Sequence, residues 1–295
     1  MSAPSPGVGS PGGPTALRML LGAHLRKLRE ERGISRKDAG WEIRSSDSKI
    51  SRMELGRVSF KERDVEDLLK HYGVVEPELT RLIQLARDAN NPGWWHRFGE
   101  VLPNWFQSYL GLEATASLIR TYEIQFIPGL LQTKDYARAV VMLGHGFAGR
   151  EEIEQRVNLR VSRQEVLFRE KNPPRLWAVL DEAALRRPLG SIDVMRAQLE
   201  RLIEIAELPN VQIQIIPFSA GGHAAAGGAF TMLRFQDVDL PDIVYLEQLT
   251  SALYLDKRED VDLYTASMEH LCVQAEEPRR TPELLSSILK DLTAD

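Results

Sequence analysis

The stretch ISRKDAGWEIRSSDSKISRMELGR, residues 34–57, carries the side chains best suited to recognising another molecule. On a helix from Asp47 to Leu55, Ile50 and Met53 turn inward, while Asp47, Ser48, Lys49 and Arg52 project elsewhere. That leaves a polar face at the start of a helix, of the kind that meets the edges of DNA bases. Catalytic chemistry finds less support. The histidines His96, His145, His223 and His270 are scattered and lack metal-ligand spacing such as HxxxH, so no metal and no cofactor is expected. Asp181-Glu182 and Glu247 could form a carboxylate pair, but carboxylates at strand ends more often bind Arg or cap helices. The glycine-rich run Gly221–Gly228 lacks GK[ST] and any dinucleotide fingerprint. It reads as a flexible connection between strands, with a mobile lid over a ligand as the sharper alternative. Nothing in the spacing supports a transferase set of Arg120, Ser251 and Glu247. Cys272, flanked by Leu271 and Val273, reads as a structural thiol, and as the one cysteine it excludes an internal disulfide. No catalytic residue is assigned, and no enzyme is expected.

Several elements must position the polar face. Leu17, Leu20, Leu21, His24, Leu25 and Leu28 fall at helical spacing from Thr15 onward, and Gly33 stops the run. Ser35 caps a short helix over 36–43 with Ala39 and Ile43 on its inner face. The Arg44-Ser45-Ser46 turn leads into the helix 47–55, which Gly56 ends. Two more helices follow, over about 62–72 and 77–89. Five short helices, the second and third separated by a tight turn, make the architecture of a major-groove reader.

Asn90-Asn91-Pro92-Gly93 is the best linker in the chain. It divides an all-α DNA-binding domain, 15–91, from a larger mixed α/β (α+β) domain, 92–295. Residues 1–14 are uncharged Pro, Gly, Ser and Ala and read as a disordered tail. After the linker, Trp94, Trp95, Phe98, Trp105, Phe106 and Tyr109 suggest a core or a domain interface, with a ligand cage as the alternative. Strand-like runs lie at 118–127, 176–181, 211–217, 229–235 and 242–249. Helical segments lie near 133–143, 151–170, 191–206, 258–275 and 282–291. On the second of these, Arg156, Arg160 and Arg163 form a stripe, which reads as a solvated face before an acidic partner or a second DNA contact.

The charge distribution agrees with a basic reading head. The whole chain of 295 residues has a net charge of −5, which by itself argues against nucleic acid. Between Leu17 and Arg63, however, 13 basic residues face 7 acidic ones, a net of +6; the remainder holds 24 basic and 35 acidic, a net of −11. One polyanion-facing surface on an acidic body is the implication. No apolar run approaches the roughly 20 residues needed to cross a bilayer. The first residues lack the basic start and apolar stretch of a signal peptide, so a cytoplasmic location is expected.

The segment KISRMELGR with its upstream helix resembles the Cro/C1 (XRE) helix-turn-helix family over about residues 17–75. The resemblance implies that Asp47, Ser48, Lys49 and Arg52 approach bases and that Arg36 and Arg57 touch phosphate. Lys49 or Arg52 would donate to guanine O6 and N7, and Asp47 would either accept from cytosine N4 or help cap its helix. It also implies a structural pair, Arg29 with Glu54. Gly40-Trp41 departs from the commoner Ala- or Leu-type residues; Gly within a helix costs on the order of 1 kcal/mol, so packing must compensate. From Trp94 onward, EIQFIPGLLQTKDYARAV, RQEVLF, LWAVLDEAALRRPLG, QLERL, IPFSAGGH and VYLEQLTSALYLD resemble the DUF5753 type of domain found in actinobacterial regulators. That domain is associated with developmental and secondary-metabolism regulation beside small partner proteins, and brings no established chemistry. The expectation is a homodimeric regulator of double-stranded DNA whose large domain receives a small-molecule effector or a small cognate protein. The alternative is an antitoxin-like or scaffold protein whose large domain binds a small cognate protein.

Overall fold

A computed structural model describes residues 14–91, 93–225, 227–236 and 240–294. Nearly all of the expected tail and Pro92 of the expected linker lie outside the described residues. The chain forms two compact units. Of the described residues, the first takes in those up to Arg97, together with 107–115 and 240; the second holds 98–106, 116–225, 227–236 and 241–294.

The first unit contains α1 (Pro14–Glu31), α2 (Arg36–Glu42), α3 (Asp47–Glu54), α4 (Glu62–His71) and α5 (Glu78–Asn90). Their boundaries follow local chemistry. Ser35 caps α2 by accepting from the backbone N–H of Asp38 at 3.1 Å, and Ser46 caps α3 through the N–H of Lys49 at 3.2 Å. Gly56 ends α3 at φ 64°, where a side chain would also strike the backbone of Met19. Apolar residues at helical spacing then converge: Leu21, Leu25, Ala39, Ile50, Met53, Val65, Leu68, Leu69 and Leu82 form one buried core.

Next comes α6 (Asn104–Glu113), divided between the two units. The second unit adds β1 (Leu118–Glu123), α7 (Lys134–His145), α8 (Arg150–Arg163), β2 (Arg175–Asp181), α9 (Glu182–Arg186) and α10 (Ile192–Ile205). It continues with β3 (Val211–Ile216), β4 (Phe230–Arg234), β5 (Ile243–Glu247), β6 (Ala252–Leu255), α11 (Arg258–Gln274) and α12 (Thr281–Ala294). The strands form one sheet in the order β3-β2-β1-β4-β5-β6. β1, β2 and β3 are parallel, whereas β4, β5 and β6 are joined antiparallel. The run expected as one strand at 242–249 is only β5; the chain turns back through Gln248–Ser251, where Gln248 N–H donates to Ser251 O at 2.9 Å, and gives β6.

One face of the sheet is apolar and lies under α11. Tyr122, Val179, Phe230, Met232 and Val244 pack there with Met268 and Leu271. Strand alternation puts Thr121, Glu123, Thr231, Tyr245 and Glu247 on the opposite face. Of the aromatic residues after the linker, Trp95, Phe98 and Tyr109 are buried, while Trp94 is 37% exposed.

Candidate nucleic-acid interface

The reading surface starts from a crossing of α2 over α3. Gly40 sits where the backbone returns: a Cβ there would lie 2.7 Å from Ser45 O, and Ser45 N–H donates to Gly40 O at 2.7 Å. The helix cost of this glycine is therefore the condition for a tight turn, and the neighbouring Trp41 points to solvent at 73% exposure. Ala39, Ile50 and Met53 are buried, so α3 turns its other side outward.

That outward side holds an open concavity of about 380 Å³ lined by Arg36, Asp47, Ser48, Ser51 and Arg52. Ser51 was not singled out by sequence reasoning, although its position one turn from Asp47 and Ser48 puts it on the same side. Asp47 lies at the first position of α3, where the helix dipole favours its charge, and its Oδ1 accepts from the Ser48 N–H at 2.7 Å. The capping role considered for it falls to Ser46. Arg52 runs back along the helix, its Nε 3.4 Å from Ser48 O, with its guanidinium exposed. Arg57 is exposed just past α3, and Arg44 is exposed in the turn before it, at φ 52°. Arg44 is a second cation that sequence reasoning left unassigned.

The structure does not bring Lys49 to this surface. Its Nζ lies 2.6 Å from Asp64 Oδ2 on α4, both side chains largely covered. Lys49 thus ties α3 to α4, where sequence reasoning placed it among the base-contacting residues.

Arg29 and Glu54 pair as expected. Arg29 Nε donates to Glu54 Oε1 at 2.5 Å and Nη2 to Oε2 at 3.2 Å; both residues are 6% exposed. The hydrogen bond to Glu54 holds the Arg29 guanidinium above its ordinary value against the cost of burial. Arg36 joins the pair, its Nε 3.1 Å from Glu54 Oε2, with its side chain 45% exposed. A buried carboxylate therefore anchors α1 to the end of α3 and orients an arginine at the rim of the concavity.

In the second unit, the carboxylates follow the favoured expectation of helix caps and arginine partners, and the expectation for the arginine stripe is corrected. Asp181, Glu182 and Glu247 do not form a carboxylate group. Asp181 caps α9 through the Ala183 N–H at 2.8 Å, and Glu182 accepts the Phe218 N–H at 2.7 Å. Glu247 instead shares its sheet face with Glu123. The arginine stripe of α8 is not a solvated face either: Arg163 is buried, and Arg156 and Arg160 are partly covered, with Arg156 Nη1 donating to Val101 O at 2.8 Å. Arg156 also pairs with Glu152 on its own helix at 2.8 Å, while Arg160 and Arg163 interact with the strand-end carboxyl of Glu123. The Gly221–Gly228 run is tied at its centre. His223 Nδ1 accepts from the Ala225 N–H at 3.3 Å, which leaves Nε2 to donate to Tyr122 Oη at 3.0 Å. Asp181 Oδ2 stands 3.5 Å from the same nitrogen. Cys272 is partly buried and its thiol is pushed up to about 11 by burial, which makes it a poor nucleophile.

Among the described residues no group of His, Cys, Asp or Glu could hold a metal ion, and no helix is long and apolar enough to cross a membrane.

A helical head with this outward α3 defines a helix-turn-helix protein. A family model described as a helix-turn-helix domain matches residues 20–82, and one described as a domain of unknown function (DUF5753) matches residues 106–287. The second match spans more than half of the sequence, and the chain belongs to the DUF5753 family. No characterised protein and no solved structure matches the chain. The two domains together define a DNA-binding regulator.

Proposed function

We propose that the protein is a sequence-specific transcriptional regulator, without enzymatic activity, that reads the major groove with α3. The observation that carries this reading is the concavity of Arg36, Asp47, Ser48, Ser51 and Arg52, flanked by Arg44 and Arg57 on a basic segment. Arg52 is the best placed base reader, with Asp47, Ser48 and Ser51 as short partners; Arg36, Arg44 and Arg57 supply phosphate contacts. A lone eight-residue helix reads few base pairs, so the working form is a homodimer on a pseudo-palindrome. Its two recognition helices would then enter successive major grooves about 34 Å apart. The large domain brings the heads together and receives the signal.

Genomic DNA fragments captured by the purified full chain, followed by a salt titration on the best fragment, test this reading. An enriched palindrome and a steep decline of affinity with salt are expected. Capture of fragments without a shared motif, or of single half-sites by a 33.3 kDa species, would overturn sequence-specific dimeric reading.

A further inference from the structure

The large domain carries an apolar strip that neither DNA reading nor its own folding uses. The last turn of α7 holds Met142 and Leu143, both more than half exposed, and the turn into α8 adds Phe147, wholly exposed. Ile192, the first residue of α10, is more than half exposed as well. The inward sides of these helices are already supplied by Tyr136, Ala137 and Val141 on α7 and by Met195, Leu199 and Leu202 on α10.

The four exposed residues share one surface. α10 lies beside α7 and runs against it. At the start of α7 the Thr133 N–H donates to Gln198 Oε1 at 2.7 Å, whereas a Cβ on Gly190, just before α10, would lie 3.4 Å from the Cβ of Ala139, further along α7. Ile192 therefore begins α10 next to Ala139. Met142 and Leu143 follow Ala139 by three and four residues, so they lie on its side of the helix. Gly146 keeps helical backbone angles, φ −60° and ψ −17°, and Phe147 continues the strip one turn beyond Leu143.

Single exposed apolar side chains are ordinary, but a contiguous group marks an interaction site. Phe147 offers on the order of 200 Å². The strip as a whole presents roughly 500 Å², near the largest apolar patch that a monomer shows. A standard interface takes about 800 Å² from each partner, and between like subunits about 65% of it is apolar. The strip has the size of the apolar part of one such interface, with a polar rim making up the rest.

The rim points to the occupant. Asp135 lies one turn before Ala139 on the same side of α7, Asp193 and Arg196 follow Ile192 on α10, and Arg150 follows Phe147 at the start of α8; all four are exposed. A rim of one sign would repel its own copy and call for a partner of the opposite sign. A rim of both signs lets the acidic positions of one protomer face the basic positions of its partner about a two-fold axis. We infer that α7, the turn after it and the start of α10 form the surface on which two copies of this chain meet. The inference gives a place to the dimer proposed above and rests on that reading.

Sedimentation velocity of the full chain without DNA, over a wide range of concentration, tests it. The wild type is expected as a dimer of 33.3 kDa chains. Phe147→Glu and Leu143→Glu each put a charge inside the strip. The loss of an interface hot spot is worth a factor of roughly thirty or more, so each should raise the dimer Kd by at least that much. Both positions are exposed, so the melting temperature of the dilute, monomeric protein should stay the same. Ile192→Lys, on another helix, gives the same readout where an α7 variant does not fold. Leu249→Glu is the control: Leu249 is wholly exposed too, but lies in the β5–β6 turn outside the strip, and the dimer should persist. A dimer that survives the three substitutions, or one that Leu249→Glu dissociates as fully, overturns the inference and leaves the dimeric reading standing. A wild type that stays a single chain at every concentration overturns both, while the capture of genomic DNA still reports the head by itself.

Discussion

Replacing Glu54 with Ala should be the most damaging single change in the DNA-binding head. Glu54 is 6% exposed and accepts from Arg29 Nε at 2.5 Å and Nη2 at 3.2 Å, and from Arg36 Nε at 3.1 Å. Truncation leaves the Arg29 guanidinium buried with two remaining acceptors, Ile34 O at 2.8 Å and Glu30 Oε1 at 3.3 Å. Removing one member of a buried pair costs about 3–5 kcal/mol. The two surviving acceptors place the expectation at the lower end, about 3 kcal/mol. For a unit of under a hundred residues each kcal/mol moves the midpoint by roughly 4–8 °C, so a fall of roughly 12–24 °C follows. Hydrogen exchange read by mass spectrometry on the full chain would localise the loss to α1, α2 and α3. The companion experiment replaces both partners, Arg29→Met with Glu54→Leu. If the penalty is a stranded charge, the double variant recovers most of the loss, because apolar side chains of similar volume need no partner. A single variant within about 1 kcal/mol of wild type, or a double variant as unstable as the single, would refute the argument.

Five further substitutions have outcomes fixed by the geometry. Arg52→Ala should cost roughly 1–3 kcal/mol on the specific site and relax preference at one base position, whereas Arg57→Ala should weaken all sequences alike and reduce the salt slope by about one unit; equal losses on specific and random DNA for Arg52→Ala would remove it as a base reader. Gly40→Ala gains helix propensity of about 1 kcal/mol, yet its Cβ would stand 2.7 Å from Ser45 O, so lower stability and weaker DNA binding are expected in a melt and a gel-shift titration. Asp64→Asn releases Lys49 from its 2.6 Å ion pair, and affinity for random duplex should rise with a steeper salt dependence. Glu123→Gln should change the pH profile of stability. The native carboxyl, raised to about 8, holds its proton where the unfolded one has lost it, so wild-type stability declines from the ordinary carboxylate range up to about 8. Denaturant melts across that range should show the decline flattened in the variant.

The helix-turn-helix was legible because its determinants are local. Ser35 and Ser46 cap the residues that follow them, Gly56 ends a helix at positive φ, and Ala39, Ile50 and Met53 repeat at helical spacing. The Arg29–Glu54 pair, 25 residues apart, was legible only through resemblance to a family, since spacing cannot say which buried acid meets which base. Lys49 shows the limit most plainly. Its position on α3 is right for DNA, but Asp64 lies on a helix whose packing the local pattern does not fix. In the large domain most strands were legible by run length and composition. β6 was lost because a turn at Gln248–Ser251 lacks glycine and proline, so the chain reads as continuous.

The arginine stripe on α8 carries the more general lesson about where charges go. Arg36, Arg52 and Arg57 on the head and Arg156, Arg160 and Arg163 on α8 are both sets of arginines on helical surfaces, yet the first set meets solvent and the second turns inward. The difference lies in what faces them. On the head, Glu54 is already committed to Arg29, so Arg36 is only half drawn in and the cations beyond it remain available to phosphate. Behind α8, Glu123 and Glu247 end two parallel-running strands on either side of β4 and offer two carboxyl groups to Arg160 and Arg163. The low polarity around them strengthens that attraction and penalises any charge left over. Glu123 yields by keeping its proton, so the surplus cation stays in the domain. With a net charge of −11 outside the basic segment, an inward arginine group removes positive charge from the surface of the large domain. Attraction to DNA is thereby concentrated on the head, and non-specific contact through the body is disfavoured. A second DNA-binding face on α8 is incompatible with that arrangement.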